Sequence, residues 1–327
     1  MTIENQNIEL QDILDAALRI KGVAKKTPVL TCESINEICN AELYFKCENF
    51  QKVGAFKFRG ALNAVLSLTD SEKAKGVATH SSGNHAQALS LAAKLNKIKA
   101  YIVMPSNSSK VKVKAVESYG GLITFCEPTL EARESTLKEV IARTGAFEIH
   151  PYDNRKIIAG QATATKELIK EVGFLDYIIA PVGGGGLLSG TALAAHYFSP
   201  ETKVIAAEPE MANDAYLSFY SKKFVPSINP QTIADGLRTS LGEITFPIIQ
   251  KYVNAIVTVK EQTIVDAMKL VWERMKIIIE PSSAVTLACL LEKKISLTRK
   301  QKVGIIISGG NVDLDSFSFN NLLLNHD

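Results

Sequence analysis

The sequence predicts a two-lobed α/β protein in which helices flank parallel sheets. Short β-branched runs alternate with longer helical patterns, which is typical of a parallel sheet wrapped by helices. The alternation starts twice, near residues 77 and 177, with no long linker or low-complexity tract between the two series. Two such series in 327 residues favour two α/β lobes with a cleft between them, where the carboxyl ends of the strands would meet a ligand.

The elements of each series follow from the hydrophobic period and from turn residues. In the first series we predict strand 77–79, helix 84–95, strand 100–104 ended by Pro105, helix 109–119, strand 122–125 and helix 130–142. In the second series we predict strand 177–180, a glycine loop, helix 187–197, strand 203–207, helices 263–275 and 283–291, and strand 303–307. Every predicted strand except the last is followed by a helix, and the loops after the strands are the expected positions of ligand-binding residues.

Charge and composition exclude several classes of partner. The formal net charge is +3 and no block of five or more like charges occurs, so nucleic acid and anionic membranes are poor partners. The apolar runs fall short of the ~18–20 residues that a membrane span needs. The N-terminus is polar and acidic, which fits neither a signal nor a transit peptide. The five cysteines are scattered without a Cys-x-x-Cys pair, which predicts free thiols, no zinc-finger site and a cytoplasmic location.

Four successive glycines, Gly183, Gly184, Gly185 and Gly186, stand between a predicted strand and a predicted helix. Such a run costs backbone entropy, so a fold keeps it where unusual dihedral angles or close backbone approach are needed. In front of a helix, the free N–H groups and the helix dipole can cradle a phosphate dianion. The context favours this interpretation over a flexible turn. No Lys-Ser/Thr follows, so the loop is not a Walker loop.

Lys57 lies between two phenylalanines, Phe56 and Phe58. A partly desolvated lysine has a lowered pKa and can act as an amine nucleophile, as Schiff-base chemistry requires. An exposed lysine has no need of aromatic neighbours. Taken alone, however, a surface lysine at the start of a helix is the simpler interpretation of this motif.

Two further loops follow predicted strands. Residues 81–85 read Ser-Ser-Gly-Asn-His, and small hydroxyls with an amide at the start of a helix can bind a carboxylate. An ordinary N-cap by Ser82 or Asn84 explains that segment equally well. Residues 308–311 read Ser-Gly-Gly-Asn after the last strand, and they form either a ligand-facing loop or a tight turn.

Together these motifs resemble the fold-type II pyridoxal-phosphate enzymes, and among them the group of serine racemases and serine/threonine dehydratases. The resemblance covers nearly the whole chain, from Thr-Pro-Val at 27–29 through Phe-Lys at 56–57 to the loop at 308–311. It implies a tryptophan synthase β-like fold, with a large cofactor-binding domain (1–72 and 150–327) and a small domain (73–149). It also implies a homodimer and an effector role for ATP.

Two local features resemble serine racemases in particular. Short threonine dehydratases have alanine in the asparagine loop where this chain has Ser82, and serine racemases carry serine there. Residues 208–214, Glu-Pro-Glu-Met-Ala-Asn-Asp, resemble the divalent-cation loop of eukaryotic serine racemases. Glu208, the Ala212 carbonyl and Asp214 suit a hard cation such as Mg²⁺, Ca²⁺ or Mn²⁺, although an acidic solvated loop is the common alternative. Residues 152–156, Tyr-Asp-Asn-Arg-Lys, depart from the animal racemases on the substrate side.

The resemblance also implies a role for each site residue. It places Lys57 in Schiff-base linkage to pyridoxal phosphate, Asn84 at the phenolic oxygen and Ser308 at the pyridine nitrogen. It assigns cofactor binding to Lys57, Phe56, Asn84, Gly183, Gly184, Gly185, Gly186, Leu187 and Ser308. It assigns substrate binding to Ser81, Ser82, Asn84, His85 and Gly236.

These roles imply an enzyme that interconverts L- and D-serine, with Lys57 and Ser82 exchanging the Cα proton on opposite faces. The same site would eliminate water from serine to give pyruvate and ammonia, because the neutral Ser308 hydroxyl leaves the ring a weaker electron sink than a carboxylate would. Two alternatives remain open. One is a dehydratase for threonine, serine or threo-3-hydroxyaspartate without significant racemase activity. The other is a binding protein that lacks the cofactor, against which the intact Lys57 argues.

Overall fold

The computed structural model describes residues 7–108 and 110–313 and shows an α/β protein with two sheets. The helices are α1 Leu10–Ile20, α2 Glu33–Cys39, α3 Lys57–Leu66, α4 Asp70–Lys75, α5 Asn84–Leu95, α6 Lys110–Ser118, α7 Leu130–Thr144, α8 Arg155–Val172, α9 Gly186–Phe198, α10 Asp214–Ser221, α11 Thr245–Tyr252, α12 Glu261–Met275 and α13 Pro281–Leu291. The strands are β1 Val29–Leu30, β2 Glu42–Cys47, β3 Val77–His80, β4 Ala100–Pro105, β5 Gly121–Cys126, β6 Phe147–Glu148, β7 Tyr177–Pro181, β8 Lys203–Pro209, β9 Ala255–Val259 and β10 Lys302–Ile307. The predicted fold class is confirmed, and every predicted element is present with its described ends within two residues. The predicted first residue of α6, Ser109, lies outside the described residues.

The larger sheet has the strand order β1-β2-β10-β7-β8-β9. Only its edge strand β1 is antiparallel to its neighbour, and the other pairs are parallel. Strands β7 and β10 are almost wholly buried, because helices cover both faces of the sheet. Since β2 pairs with β10, the large sheet joins a strand from the first fifty residues to the last described strand.

The smaller sheet has the order β5-β4-β3-β6 and is parallel throughout. Its strands all fall between Val77 and Glu148. The helix α7 packs on this sheet through Leu137 and Val140, and Gly145, which follows its last residue, caps it with a positive φ of 69°. Among the described helices, none has the length and apolar character needed to cross a bilayer.

The start of α3, which carries Lys57, is anchored by a buried ion network. The guanidinium of Arg59 donates to both oxygens of Glu48 at 2.7 and 2.8 Å and to both oxygens of Glu167 at 2.8 Å. The side chain of Lys46 donates to Glu167 at 2.7 Å. Paired charges of this kind tolerate burial, whereas removal of one partner would leave an uncompensated buried charge. The network ties α3 to β2 and α8, so the residues that precede Arg59 have a fixed position.

Candidate active site

Lys57 begins α3 and directs its amine into the interior. Its Nζ donates to the Pro151 carbonyl at 2.9 Å and lies 5.2 Å from the centre of the Phe56 ring and 6.0 Å from that of the Tyr152 ring. Burial lowers the pKa of Lys57 to about 8, against the smaller opposing effect of the Glu280 charge. Such an amine is deprotonated in a useful fraction near neutral pH. The surface-lysine interpretation therefore does not describe this residue.

The four glycines are buried and tightly packed, not a flexible turn. A Cβ on Gly184 would lie 2.3 Å from the Tyr152 ring, and one on Gly183 would lie 2.9 Å from Leu237 Cα. Gly185 has a φ of 88°, in the left-handed region, and directly precedes α9. The N–H groups of this loop therefore stand at the positive end of a 13-residue helix, which fits a phosphate group.

A short 3₁₀ turn at Asp235–Leu237 lies against the glycine loop and carries the predicted substrate residue Gly236. The Gly236 N–H donates to Ser282 Oγ at 3.0 Å. The Asp235 carboxylate forms an ion pair with Lys112 of α6 at 2.6 Å. This ion pair joins a helix of the smaller sheet to the turn that supports the glycine loop.

The asparagine loop connects β3 to α5 and leaves the start of the helix open. The residue that caps α5 is Gly83, and within the described part of the chain no side-chain cap bonds to the first helical N–H groups. The interpretation of Ser82 or Asn84 as an ordinary N-cap is therefore wrong. Ser81 Oγ accepts from the Gly83 N–H at 3.3 Å, and residues 81–84 are all partly exposed. Uncapped N–H groups beside small hydroxyls can receive a carboxylate.

His85 turns its ring away from this loop and into the core. Its Nε2 lies 3.1 Å from the Ile149 carbonyl, its Nδ1 has no hydrogen-bond partner among the described residues, and the residue is 2% exposed. Burial places the pKa of the imidazole well below its usual range, so the ring is neutral. The part of His85 that can meet a substrate carboxylate is thus its backbone N–H at the start of α5.

Asn84 is held by two residues, Glu280 and Asn311, that no local sequence motif marks individually as site residues. Its Nδ2 donates to the two oxygens of Glu280 at 3.0 and 3.1 Å, and its Oδ1 accepts from Asn311 Nδ2 at 2.9 Å. The N–H of Asn311 also donates to Glu280, at 3.1 Å. Burial raises the pKa of Glu280 to about 7. In the sequence, Glu280 is marked only by its position directly before Pro281 at the start of α13. A glutamate before a proline is also typical of an ordinary helix start, so this pattern does not identify Glu280 as a site residue.

Ser308 follows β10 and lies beside the segment that carries Lys57. Its carbonyl accepts from the Phe56 N–H at 2.9 Å, and the neighbouring Gly309 forms a β-bridge with Ala55. Its side chain is 2% exposed, and its hydroxyl lies 2.9 Å from Ser283 Oγ. Of the two interpretations of this loop, the ligand-facing one is the better supported, since Lys57 and Ser308 flank the same backbone contact.

The two carboxylates of the acidic loop, Glu208 and Asp214, are buried, which argues against the alternative of a solvated loop. Glu208 lies within β8, is fully buried and accepts from the N–H groups of Ala215 and Tyr216 at 3.0 and 2.8 Å. Asp214 opens α10, is 4% exposed, and neither of its oxygens makes a hydrogen bond of ordinary geometry. Burial raises the pKa of Asp214 to about 6, and burial together with the Asp214 charge raises that of Glu208 well above its usual range.

Two buried carboxylates without a counter-charge fit a hard cation, with the Ala212 carbonyl and water as further ligands. Among the residues that the structure describes, no group of three or more His, Cys, Asp or Glu side chains could hold a metal ion. A cation in this loop would therefore depend on the two carboxylates of Glu208 and Asp214 and on uncharged oxygens.

The segment that departs from the animal racemases forms a wall beside Lys57 and the glycine loop. Tyr152 covers the glycine loop and packs edge-on against the His150 ring, with ring centres 4.5 Å apart. The carboxylate of Asp153 accepts from the N–H groups of Glu243 and Ile244 at 3.0 and 2.8 Å, which fixes this wall to the start of α11. Tyr152 therefore belongs to the site, although a tyrosine at this position of the sequence does not by itself indicate a site residue.

Comparison with known proteins agrees with this geometry. The sequence profile described as pyridoxal-phosphate dependent enzyme matches residues 20–309. The chain is 54% identical over 315 residues to a serine racemase from Dictyostelium discoideum, covering 95% of this chain and 97% of the relative. It is 50% identical over 308 residues to an L-threo-3-hydroxyaspartate ammonia-lyase from Saccharomyces cerevisiae, covering 94% of each chain. The solved structure of maize serine racemase superposes with a TM-score of 0.92 at 44% identity, covering 96% of each chain. The chain belongs to the family of pyridoxal-phosphate dependent enzymes.

Proposed function

We propose that this protein is a serine racemase that interconverts L- and D-serine and also eliminates water from serine to give pyruvate and ammonia. The observation that carries the proposal is the buried amine of Lys57, which lies 6.0 Å from the centre of the Tyr152 ring, the same ring that packs against Gly184 of the glycine loop. The identity to the Dictyostelium serine racemase supports the choice of substrate. When bound, pyridoxal phosphate would withdraw electrons from Cα and so acidify its proton.

In this proposal each group of residues has one task. Lys57 holds the cofactor and removes the Cα proton from one face, and Ser82 returns a proton from the other face. The substrate carboxylate rests on the uncapped start of α5, and Gly236 bounds the substrate side. The cofactor contacts are Phe56 and Asn84, the amides of Gly183, Gly184, Gly185, Gly186 and Leu187, and the hydroxyl of Ser308.

A second candidate is a dehydratase for threo-3-hydroxyaspartate, threonine or serine, favoured by the 50% identity to the yeast ammonia-lyase. The deciding assay supplies purified protein with L-serine and measures D-serine and pyruvate together, with threo-3-hydroxyaspartate and threonine in parallel. Formation of D-serine supports the racemase. Ammonia release from all substrates without D-serine would support the dehydratase. A colourless protein that turns over none of them would leave only ligand binding.

We also propose a divalent cation, Mg²⁺, Ca²⁺ or Mn²⁺, bound by Glu208, the Ala212 carbonyl and Asp214. The support is the burial of the Asp214 carboxylate beside that of Glu208, with the uncharged Ser227 as the side-chain contact of Asp214. A cation would supply the missing counter-charge for the turn between β8 and α10. Because this turn follows the βα unit of the glycine loop, the cation would stiffen the region that holds the cofactor phosphate.

We expect a chelator to lower the melting temperature by about 5 °C at pH 7 and to reduce activity, with recovery on addition of Mg²⁺. The pH dependence has a definite sign. The fold raises the pKa of Asp214 from 3.8 to about 6, so it favours the protonated side chain. The free energy of unfolding is therefore highest below pH 3.8, and this contribution of Asp214 is lost as the pH rises through 6. The chelated protein should therefore lose about 2–3 kcal/mol between pH 4 and 7.

Asp214→Asn should remove both the response to Mg²⁺ and the Asp214 part of this pH dependence. Glu210→Gln is the matched control, since Glu210 is in the same loop but lies 4.0 Å from Lys294, and it should respond to Mg²⁺ as the wild type does. Thermal unfolding with and without chelator at several pH values measures both effects. A wild type that is indifferent to chelation would exclude the cation.

Four further assignments remain proposals. We propose the division into a large domain (1–72 and 150–327) and a small domain (73–149), which agrees with the placement of the smaller sheet between Val77 and Glu148. We also propose a homodimer and regulation by ATP from the family resemblance, and a cytoplasmic location from the sequence. Sedimentation tests the homodimer, and turnover with and without ATP tests the regulation.

A further inference from the structure

Thr245, the first residue of α11, lies against the glycine loop and is fully buried. A Cβ on Gly185 would lie 2.8 Å from the Thr245 Cβ and 2.9 Å from its Oγ1, so the threonine is in direct contact with the loop. Its Oγ1 also lies 2.9 Å from the Gly184 carbonyl oxygen and 2.7 Å from the Gly242 nitrogen. The hydroxyl of Thr245 therefore connects the start of α11 with the backbone that precedes α9.

The backbone groups fix the direction of these hydrogen bonds. The Gly242 N–H can only donate and the Gly184 carbonyl can only accept, so the Thr245 hydroxyl accepts from the first and donates to the second. The other acceptor within reach is the Gly242 carbonyl, at 3.4 Å. That carbonyl is more distant and already accepts from the Phe246 N–H at 3.0 Å, so the hydroxyl proton goes to Gly184.

This hydrogen bond sets the orientation of one peptide unit of the glycine loop. The Gly184 carbonyl and the Gly185 N–H belong to the same planar trans unit, in which the two groups point in opposite directions. Because the carbonyl is turned toward Thr245, the Gly185 N–H points away from α11. Glycine has no side chain to restrict its dihedral angles, and Gly185 has a φ of 88°. The orientation of this unit therefore depends on a neighbouring group.

Asp153 holds the backbone of Thr245 in place. Its carboxylate accepts from three successive N–H groups at the start of α11, the last of which is that of Thr245 at 3.1 Å. A negative charge is favourable at this end of a helix. The residue before Asp153 is Tyr152, whose ring lies against Gly184. The glycine loop thus contacts both Tyr152 and Thr245, and Asp153 links these two contacts.

We propose that Thr245 is a positioning residue for the cofactor phosphate, because it fixes the Gly184–Gly185 peptide unit so that the Gly185 N–H donates to that phosphate. The inference rests on the proposed function for the contact between the glycine loop and the phosphate. A hydrogen bond from an N–H group to a phosphate dianion is charge-assisted and stronger than one between neutral groups. Without the hydroxyl, the Gly184 carbonyl loses its buried donor and the unit can turn, so the phosphate loses this hydrogen bond while Lys57 keeps its place.

The test compares pyridoxal phosphate with pyridoxal, which has the same ring and aldehyde but no phosphate. Each compound is added to the intact protein after removal of its cofactor, and the visible absorption band measures binding. Thr245→Val keeps the shape of the side chain and removes its hydroxyl, so it should weaken the binding of pyridoxal phosphate by about tenfold, equivalent to about 1.4 kcal/mol. The affinity for pyridoxal should change by less than about twofold.

Thr191→Val is the matched control, because it removes a buried threonine hydroxyl of α9 that bonds to Thr165 Oγ1 at 3.1 Å. It should keep both affinities. Thr245→Ser keeps the hydroxyl and should bind pyridoxal phosphate as the wild type does. If Thr245→Val does not fold, Thr245→Ala decides, since it removes the same hydroxyl from a smaller side chain and should give the same selective loss.

Equal weakening of both compounds would overturn the proposal, because Thr245 would then act on the shape of the whole site and not on the phosphate. Unchanged binding of pyridoxal phosphate in the variant that folds would overturn it as well. A wild type that gives no absorption band with either compound would instead overturn the proposed function.

Discussion

Replacement of Lys57 by alanine is expected to abolish the visible absorption band of the bound cofactor and to reduce turnover by about 10³-fold or more. The effect is large because one side chain supplies two functions, the covalent attachment of the cofactor and the base for the Cα proton. Effects of groups that act as a unit are not additive, so the loss should be no greater in a Lys57→Ala, Ser82→Ala double variant. Absorption spectra and turnover assays with L-serine, carried out on the two single variants and on the double variant, measure both the cofactor band and the loss of rate.

Lys52→Ala is the matched control, because Lys52 also lies over a phenylalanine ring, at 5.7 Å from the centre of Phe58. It should keep the absorption band and the rate. A band of wild-type intensity in Lys57→Ala would show that another amine holds the cofactor. That result would remove the basis of the proposed function.

The lowered pKa of Lys57 adds a test that needs no substrate. Only the deprotonated amine can attack the aldehyde of the cofactor, so the rate of cofactor uptake by the apoprotein should rise with pH and level off above about 8. An amine with the ordinary lysine pKa of 10.5 would give a rate that still rises beyond pH 9. A stopped-flow measurement of the absorption band between pH 6 and 10 distinguishes the two.

The parts of the site that could be predicted from the sequence are those encoded within one βα unit. The strand, glycine loop and helix around Gly183–Gly186 are contiguous, and their composition has a direct backbone reason. The structure adds that Tyr152 and Leu237 approach this backbone closely, which the local pattern does not contain. The sequence around Lys57 does not distinguish a buried amine from a surface lysine, because the burial depends on Pro151 and Tyr152, which lie far along the chain.

The parts that could not be predicted depend on tertiary contacts. Glu280 and Asn311 hold Asn84 across separations of 196 and 227 residues, and no periodicity connects such positions. The acidic loop has the composition of a solvated turn, yet both Glu208 and Asp214 are buried because α10 folds back onto β8. The direction of the His85 ring likewise follows from its packing against Ile149.

Replacement of Ser82 by alanine is expected to separate the two reactions. If Ser82 delivers the proton on the face opposite Lys57, the Ser82→Ala variant should lose racemisation by about 100-fold or more. Elimination of water from L-serine needs the Lys57 face alone, so its rate should change by less than about threefold. Ser82 is partly exposed at the open start of α5, where an alanine removes no buried contact.

Deuterium exchange makes this test sharper than a rate comparison. In D₂O, Ser82→Ala should still exchange the Cα proton of L-serine, because Lys57 removes and returns it on the same face, yet it should form almost no D-serine. Ser90→Ala is the control on the same helix, since Ser90 Oγ bonds to the Ala86 carbonyl at 2.8 Å within the helix, and this variant should racemise normally. Equal loss of racemisation and elimination would show that Ser82 shapes the loop and does not transfer a proton. Undiminished racemisation would mean that water or another group delivers the proton to the second face.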